Sequence, residues 1–150
     1  MLYECKENFV SLSKEIHQLE NFINLNELQI EDRGRVAFNV DGDYNGYKVA
    51  PLIMTVFVEN AFKHSQSSQS DKIEITIDLH IQKDGKLHFG CINTFSETAN
   101  NANLAQGIGL ENVKKRLELI YPDAYKLELI LKEGKYIVDL QLDLKKGEQL

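Results

Sequence analysis

Ile73-Glu74-Ile75-Thr76-Ile77-Asp78-Leu79-His80-Ile81 is the stretch that decides the architecture. Apolar and polar residues alternate without a break, the period of a strand with one face buried and one face wet. Asp84-Gly85 follows as a turn signal, and Leu87, Phe89 and Cys91 then carry the alternation onward. Two such runs across a short turn read as a hairpin.

Working outward, helical patterns flank this hairpin. Upstream, Phe9, Leu12, Ile16, Leu19 and Ile23 recur at spacings of three and four, which predicts a helix from about Ser11 to Ile30. Phe22, Leu25 and Leu28 widen its apolar stripe, Ser11 or Ser13 can cap its start, and Glu15 sits in its first turn. Val36 to Val40 reads as a short strand ending in a hairpin-like turn at Asp41-Gly42-Asp43, and Asn45-Gly46 is a second turn signal. Pro51 suits the first turn of a helix that runs to about His64. Downstream, Thr94 to Gln106 is polar and small, too poor in apolar residues to pack a core, and long for a connector. A helix from about Leu110 to Tyr121 follows, closed by Pro122. Leu127, Leu129 and Leu131 make a strand, Gly134 turns it, and Val138, Leu140, Leu142 and Leu144 make the last. Strands come in sequential pairs with helices between them. The expected class is α+β, a two-layer sandwich with helices on one face of a mostly antiparallel sheet.

The 150 residues suit a single core. A net charge of −6 gives no global sign of a basic face, so nucleic acid is not an expected partner. Cys5 and Cys91 make no disulfide framework, which favours a reducing compartment. No apolar run approaches the roughly 20 residues that span a bilayer, and no signal peptide is evident, so a cytoplasmic domain is expected.

Two segments carry possible chemistry. In Val58-Glu59-Asn60-Ala61-Phe62-Lys63-His64, the amide, ammonium and imidazole of Asn60, Lys63 and His64 fall at i, i+3 and i+4 on one helical face. An amide in an apolar stripe needs a partner. A hard cation such as Mg²⁺ takes oxygen ligands, and a lysine nearby offsets phosphate charge. In Gly107-Ile108-Gly109-Leu110-Glu111-Asn112-Val113, glycines open a helix, where free amides attract phosphate. The order and spacing of the two point to an ATP-binding domain, with Thr94–Gln106 as a segment that closes over the ligand. Asn93, at a strand end, could read a base edge. Each piece alone also fits plain structure: a buried Asn bonded to backbone, a helix start, a turn Asn. His17, His80 and His88 show no metal-ligand spacing, and no serine, cysteine or carboxylate pair suggests a hydrolase.

PLIMTVFVENAFKHS, residues 51–65, resembles the N-box of GHKL (Bergerat-fold) ATPases, nearest to the LytS-like sensor histidine kinases. GIGLENVKKRLELIYP, residues 107–122, resembles their second glycine box, and LSKEIHQLENFINLNELQIEDR, residues 12–33, their link from dimerisation helices to ATPase domain. The resemblance implies a Bergerat-type sandwich with a mixed sheet and an ATP lid, residues 1–32 as connector and 33–150 as catalytic domain. It implies ATP and Mg²⁺ as ligands, with Asn60 on the metal and Lys63 and His64 on phosphate. Asn93 would read adenine, Gly107, Ile108, Gly109 and Leu110 would form the lid hinge and phosphate cradle, and Glu59 is a candidate base.

The implied activity is that of a protein histidine kinase in a two-component system. It would present the γ-phosphate to a histidine on its own upstream dimerisation domain, for relay to a response regulator. The parent would be a homodimer held at a membrane by a region outside this chain. Departures are visible: Thr55-Val56 stands where Gln-Pro is common, Asn93-Thr94-Phe95-Ser96 lacks the glycines of the first glycine box, and no NPHFLFN-like acceptor motif occurs. His17 does not occupy the acceptor position. Another GHKL enzyme, such as an anti-sigma serine kinase, and a non-catalytic interaction module with a degenerate nucleotide site remain as alternatives.

Overall fold

The computed structural model describes residues 9–30, 34–67, 73–94 and 108–146. Elements run β1 (Val10–Ser11), α1 (Leu12–Ile30), β2 (Gly34–Asp41), β3 (Tyr47–Val49), α2 (Ile53–Ser67), β4 (Ile73–Ile81) and β5 (Lys86–Thr94). They continue with α3 (Ile108–Ile120), β6 (Tyr125–Lys132), β7 (Lys135–Asp143) and β8 (Lys145–Lys146). The main sheet has the order β2-β4-β5-β7-β6, and β1, β3 and β8 form a small second sheet. The β4–β5, β5–β7 and β6–β7 pairs are antiparallel; β2 pairs parallel to β4. The α+β sandwich with a mixed, mostly antiparallel sheet is thus the observed fold.

Alternation fixes which face is covered. Ile73, Ile75, Ile77, Leu79 and Ile81 of β4, with Leu87, Phe89 and Cys91 of β5, are buried, while Glu74, Asp78 and His80 are exposed. α2 covers this face through Phe57, whose ring lies 6.1 Å from that of Phe89. The α1 stripe of Leu12, Ile16, Leu19 and Ile23 joins the same core, as do Leu110, Val113 and Leu117 of α3. No helix among the described residues is long and apolar enough to cross a membrane.

Turn chemistry sets the hairpins. Gly85, at φ +90°, donates its N–H to the Gln82 carbonyl at 3.0 Å and closes the β4–β5 turn. Glu133 and Gly134, at φ 51° and 76°, form the two-residue turn between β6 and β7, a geometry that matches strand twist. Ser11 Oγ accepts the Lys14 N–H at 3.1 Å and caps α1.

Several local expectations need correction. The turn after β2 makes no hairpin, because β2 pairs with β4 across an intervening helix. α2 starts at Ile53, and Pro51 lies in the turn before it. Leu25 and Leu28 are 65% and 73% exposed, so they do not widen the packed stripe; they lie off the face that continues from Ile23 to the buried Ile30. The strand expected to be the last ends at Asp143, before Leu144, and a further short strand, β8, pairs with β3. Thr94 belongs to β5. The remainder of the expected lid, residues 95–106, lies outside the described residues, as do Gly107 and Cys5.

Candidate functional site

α2 packs on β5 through Phe57 and Phe89, and the candidate amides lie beyond these rings on their own elements. Asn60 is one turn beyond Phe57 on the helix, and Asn93 is four residues beyond Phe89 on the same strand face. Asn93 is 1% exposed and donates from Nδ2 to the Thr94 carbonyl at 2.9 Å. Asn60 is half-buried, and its Nδ2 is fully enclosed without a hydrogen-bond partner. Leaving a buried amide hydrogen unbonded costs about 1–3 kcal/mol. A protein retains that deficit readily where a ligand or its water completes the bond.

Around this amide, the other expected residues are distributed as follows. Lys63 and Glu59 are exposed on α2, one turn after Asn60 and one residue before it. His64 continues the same helix; its side chain lies outside what is described. Ile108, Gly109 and Leu110 form the first turn of α3, with Leu110 buried, so the helix opens immediately after Gly107. Its first amide groups have no intrahelical acceptor and suit an anion. Among the described residues, no cluster of three or more His, Cys, Asp or Glu side chains could hold a metal on its own. A magnesium ion chelated by phosphates needs only one or two protein oxygens, and the side-chain carbonyl of Asn60 could supply one.

Two residues that the sequence did not single out hold the site together. Glu15 is 2% exposed, and its Oε2 accepts the Leu52 N–H at 2.9 Å. Tyr121 is buried; its hydroxyl oxygen accepts the Ala50 N–H at 2.9 Å, and its ring packs edge-on against Phe9 at 6.0 Å. Burial pushes the Tyr121 hydroxyl above its ordinary pKa, opposed by the Ala50 hydrogen bond and by Arg116. The two amides thus gripped flank Pro51, which has none, at the entrance to α2. Leu52 has φ +67°, a left-handed conformation that leucine rarely adopts. A buried acid in an otherwise apolar α1 stripe was the available signal for Glu15.

The more capacious grooves bounded by described residues lie elsewhere. One, of about 740 Å³, is lined by Gly42, Asp43, Asn45, Gly46, Tyr47, His80, Ile81, Gln82 and Lys83. It sits at the far end of β4 from the residue paired with Asn93, since Ile75 faces Asn93 and Ile81 faces Leu87. Six residues of strand separate those ends, about 20 Å. Several of its polar groups are exposed and locally paired, as in His80 with Asp41 at 2.8 Å and the Asn45 N–H with Asp43 at 3.1 Å. An enclosed amide without a partner is a stronger sign of a ligand than open volume, so the α2–β5 contact is the better candidate.

Comparison with known proteins bears on the same elements. The sensor protein LytS of Staphylococcus saprophyticus is 26% identical over 130 residues, 80% of this chain and 22% of its own length. The sensor histidine kinase/phosphatase LytS of Staphylococcus aureus is 24% identical over 140 residues, 85% of this chain and 24% of its own. The catalytic domain of histidine kinase ThkA superposes with a TM-score of 0.65, covering 93% of this chain and 97% of that one, at 11% identity. The chain is thus similar in sequence to the LytS sensor kinases and in fold to histidine kinase catalytic domains. No family model matches the chain. The chain spans about a quarter of the length of the curated relatives it matches.

Proposed function

We propose that this chain is the ATP-binding catalytic domain of a sensor histidine kinase, with residues 1–32 as connector and 33–150 as catalytic domain. The observation that carries the reading is the enclosed, partnerless amide of Asn60 on a helix whose sequence resembles the N-box. The LytS similarity supports the same assignment.

Asn60 would turn its carbonyl oxygen to the nucleotide-bound magnesium, with Lys63 and His64 toward phosphate. Bound Mg²⁺ neutralises charge on the phosphate oxygens. Asn93, held by its bond to the Thr94 carbonyl, would keep an amide edge for adenine. The first turn of α3, from Ile108 to Leu110, would set backbone amides against phosphate, with Gly107 and Gly109 as hinge. Glu59, exposed beside Asn60, is the candidate base. The protein's contribution is positioning and charge stabilisation. The γ-phosphate would pass to a histidine on an upstream dimerisation domain of the same protein, then to a response regulator. The parent would be a homodimer located at a membrane through a region beyond this chain.

Calorimetry tests the metal role. Asn60→Ala should weaken ATP binding with Mg²⁺ more than without it. Equal losses in both conditions would mean that Asn60 acts only structurally. No binding by the unaltered chain would favour the non-catalytic interaction module. Incubation with γ-labelled ATP should leave the chain itself unlabelled, while a protein carrying the upstream histidine should accept label in trans.

A further inference from the structure

The β6 strand is an edge of the main sheet, bonded only to β7 among the described residues. The Asp143 N–H donates to the Ala124 carbonyl at 3.0 Å, so even-numbered residues of this strand direct their backbone groups inward. Alternation then turns the N–H and C=O groups of Tyr125, Leu127 and Leu129 outward. Natural edges of this kind are normally blunted or covered. Beside it lies a groove of about 650 Å³ between α3 and β6, floored by Tyr125 and Leu127 and rimmed by Leu119, which is 82% exposed.

The charges on this strand select one occupant. Lys126 and Glu128 are exposed on its solvent face, two residues apart and symmetric about Leu127. We propose that β6 is a self-association edge, where a second copy pairs antiparallel about Leu127. In that register each Lys126 meets Glu128 of the partner subunit, and Tyr125 meets Leu129 of the partner subunit. Tyr125, Leu127 and Leu129 would form the hydrogen-bonded pairs, because their backbone groups point outward. Lys126 and Glu128 would fall in the closer, non-hydrogen-bonded pairs, where side chains interact most strongly.

Neighbouring registers are worse. Centring on Glu128 sets that carboxylate against itself, and centring on Leu129 sets Lys126 against Lys132 of the partner subunit. A centre between residues would oppose an outward backbone group to an inward one. Pairing about Leu127 also runs out at Pro122, which cannot donate to a ladder. The two sheets would become one, with the helices of both copies on the same face and Leu119 on the flank that the neighbour covers. This surface is independent of the nucleotide reading, since Asn60 and Asn93 lie on other elements.

Sedimentation equilibrium of the 150-residue chain, from micromolar to millimolar protein, tests it. A concentration-dependent dimer is expected. Glu128→Lys should weaken association about tenfold or more, because two attractive pairs become repulsive. Adding Lys126→Glu to that variant should restore it, as the reversed pairs are again complementary. Amide exchange at Tyr125, Leu127 and Leu129 should slow as the dimer fills. A chain that stays monomeric throughout would overturn the proposal. So would a dimer insensitive to Glu128→Lys, or a folded double variant that does not recover.

Discussion

The two ends of the β4–β5 hairpin treat polar groups in opposite ways. At the turn end, Asp43, Asp84, Asp41 and His80 are exposed, and each has a local partner. At the other end, Asn93 is buried with one bond, and on α2, which packs against the same strand, Asn60 Nδ2 is enclosed with no partner among the described residues. Among the described residues, an open groove lies at the satisfied end, and the bonding deficit lies in the α2 packing. Unsatisfied polarity in a packed place therefore locates the candidate site better than room does.

The steepest test of this contrast is the α2 packing itself. Phe57→Ala removes a buried ring stacked on Phe89 and should cost about 3–5 kcal/mol in urea unfolding. A loss under a third of that would mean that the layer beneath Asn60 is not tightly packed.

Cys91 reports on the same interior through pH. Burial first, and Asp78 second, push its thiol up to about 12 from 9.0. Between those values the unfolded chain has released the proton and the folded one still holds it, so stability must fall as pH rises above 9. Cys91→Ala should flatten that fall, as read from melting temperature against pH, after allowing for its own lower baseline. An unchanged slope would place the effect on another group.

Asn60→Leu sharpens the comparison most directly. Replacing an unbonded amide by an apolar side chain of similar size should be neutral or stabilising by up to about 2 kcal/mol. The same change should abolish Mg²⁺-dependent nucleotide binding. Clear destabilisation would mean that the amide has a structural partner after all. At the turn end, Asp43→Ala should shift stability by only about 0.5 kcal/mol, and leave nucleotide binding intact. A large effect on binding there would reverse the assignment of the two ends.

Much of this was legible in the residues. The buried α1 stripe through Leu12, Ile16, Leu19 and Ile23 follows from spacing alone, as does the alternation of β4. The parallel pairing of β2 with β4 was not legible, because it joins strands across a helix and no local turn encodes it. Gly34 shows that constraint only in three dimensions: a Cβ there would lie 2.1 Å from the Ile73 carbonyl oxygen. Leu25 and Leu28 misled because they sit round the helix from the line that runs through Ile23 to the buried Ile30, not on it. In the candidate site, the spacing of Asn60, Lys63 and His64 was visible, but the missing partner of the amide is a property of packing. The bonds of Glu15 and Tyr121 were not legible because their partners lie 37 and 71 residues away.

The bond from Glu15 to Leu52 also has a mechanical side. A hydrogen bond of 2.9 Å to a backbone amide adds a directional tie to the close packing between α1 and the segment before α2. It is anchored on a residue whose φ of +67° leaves few neighbouring conformations into which strain can relax. A push or roll delivered along α1 would therefore reach the first turn of α2 as displacement. Asn60 stands eight residues further along, about 12 Å up the same helix. The amide would move with the lever instead of waiting for the core to rearrange.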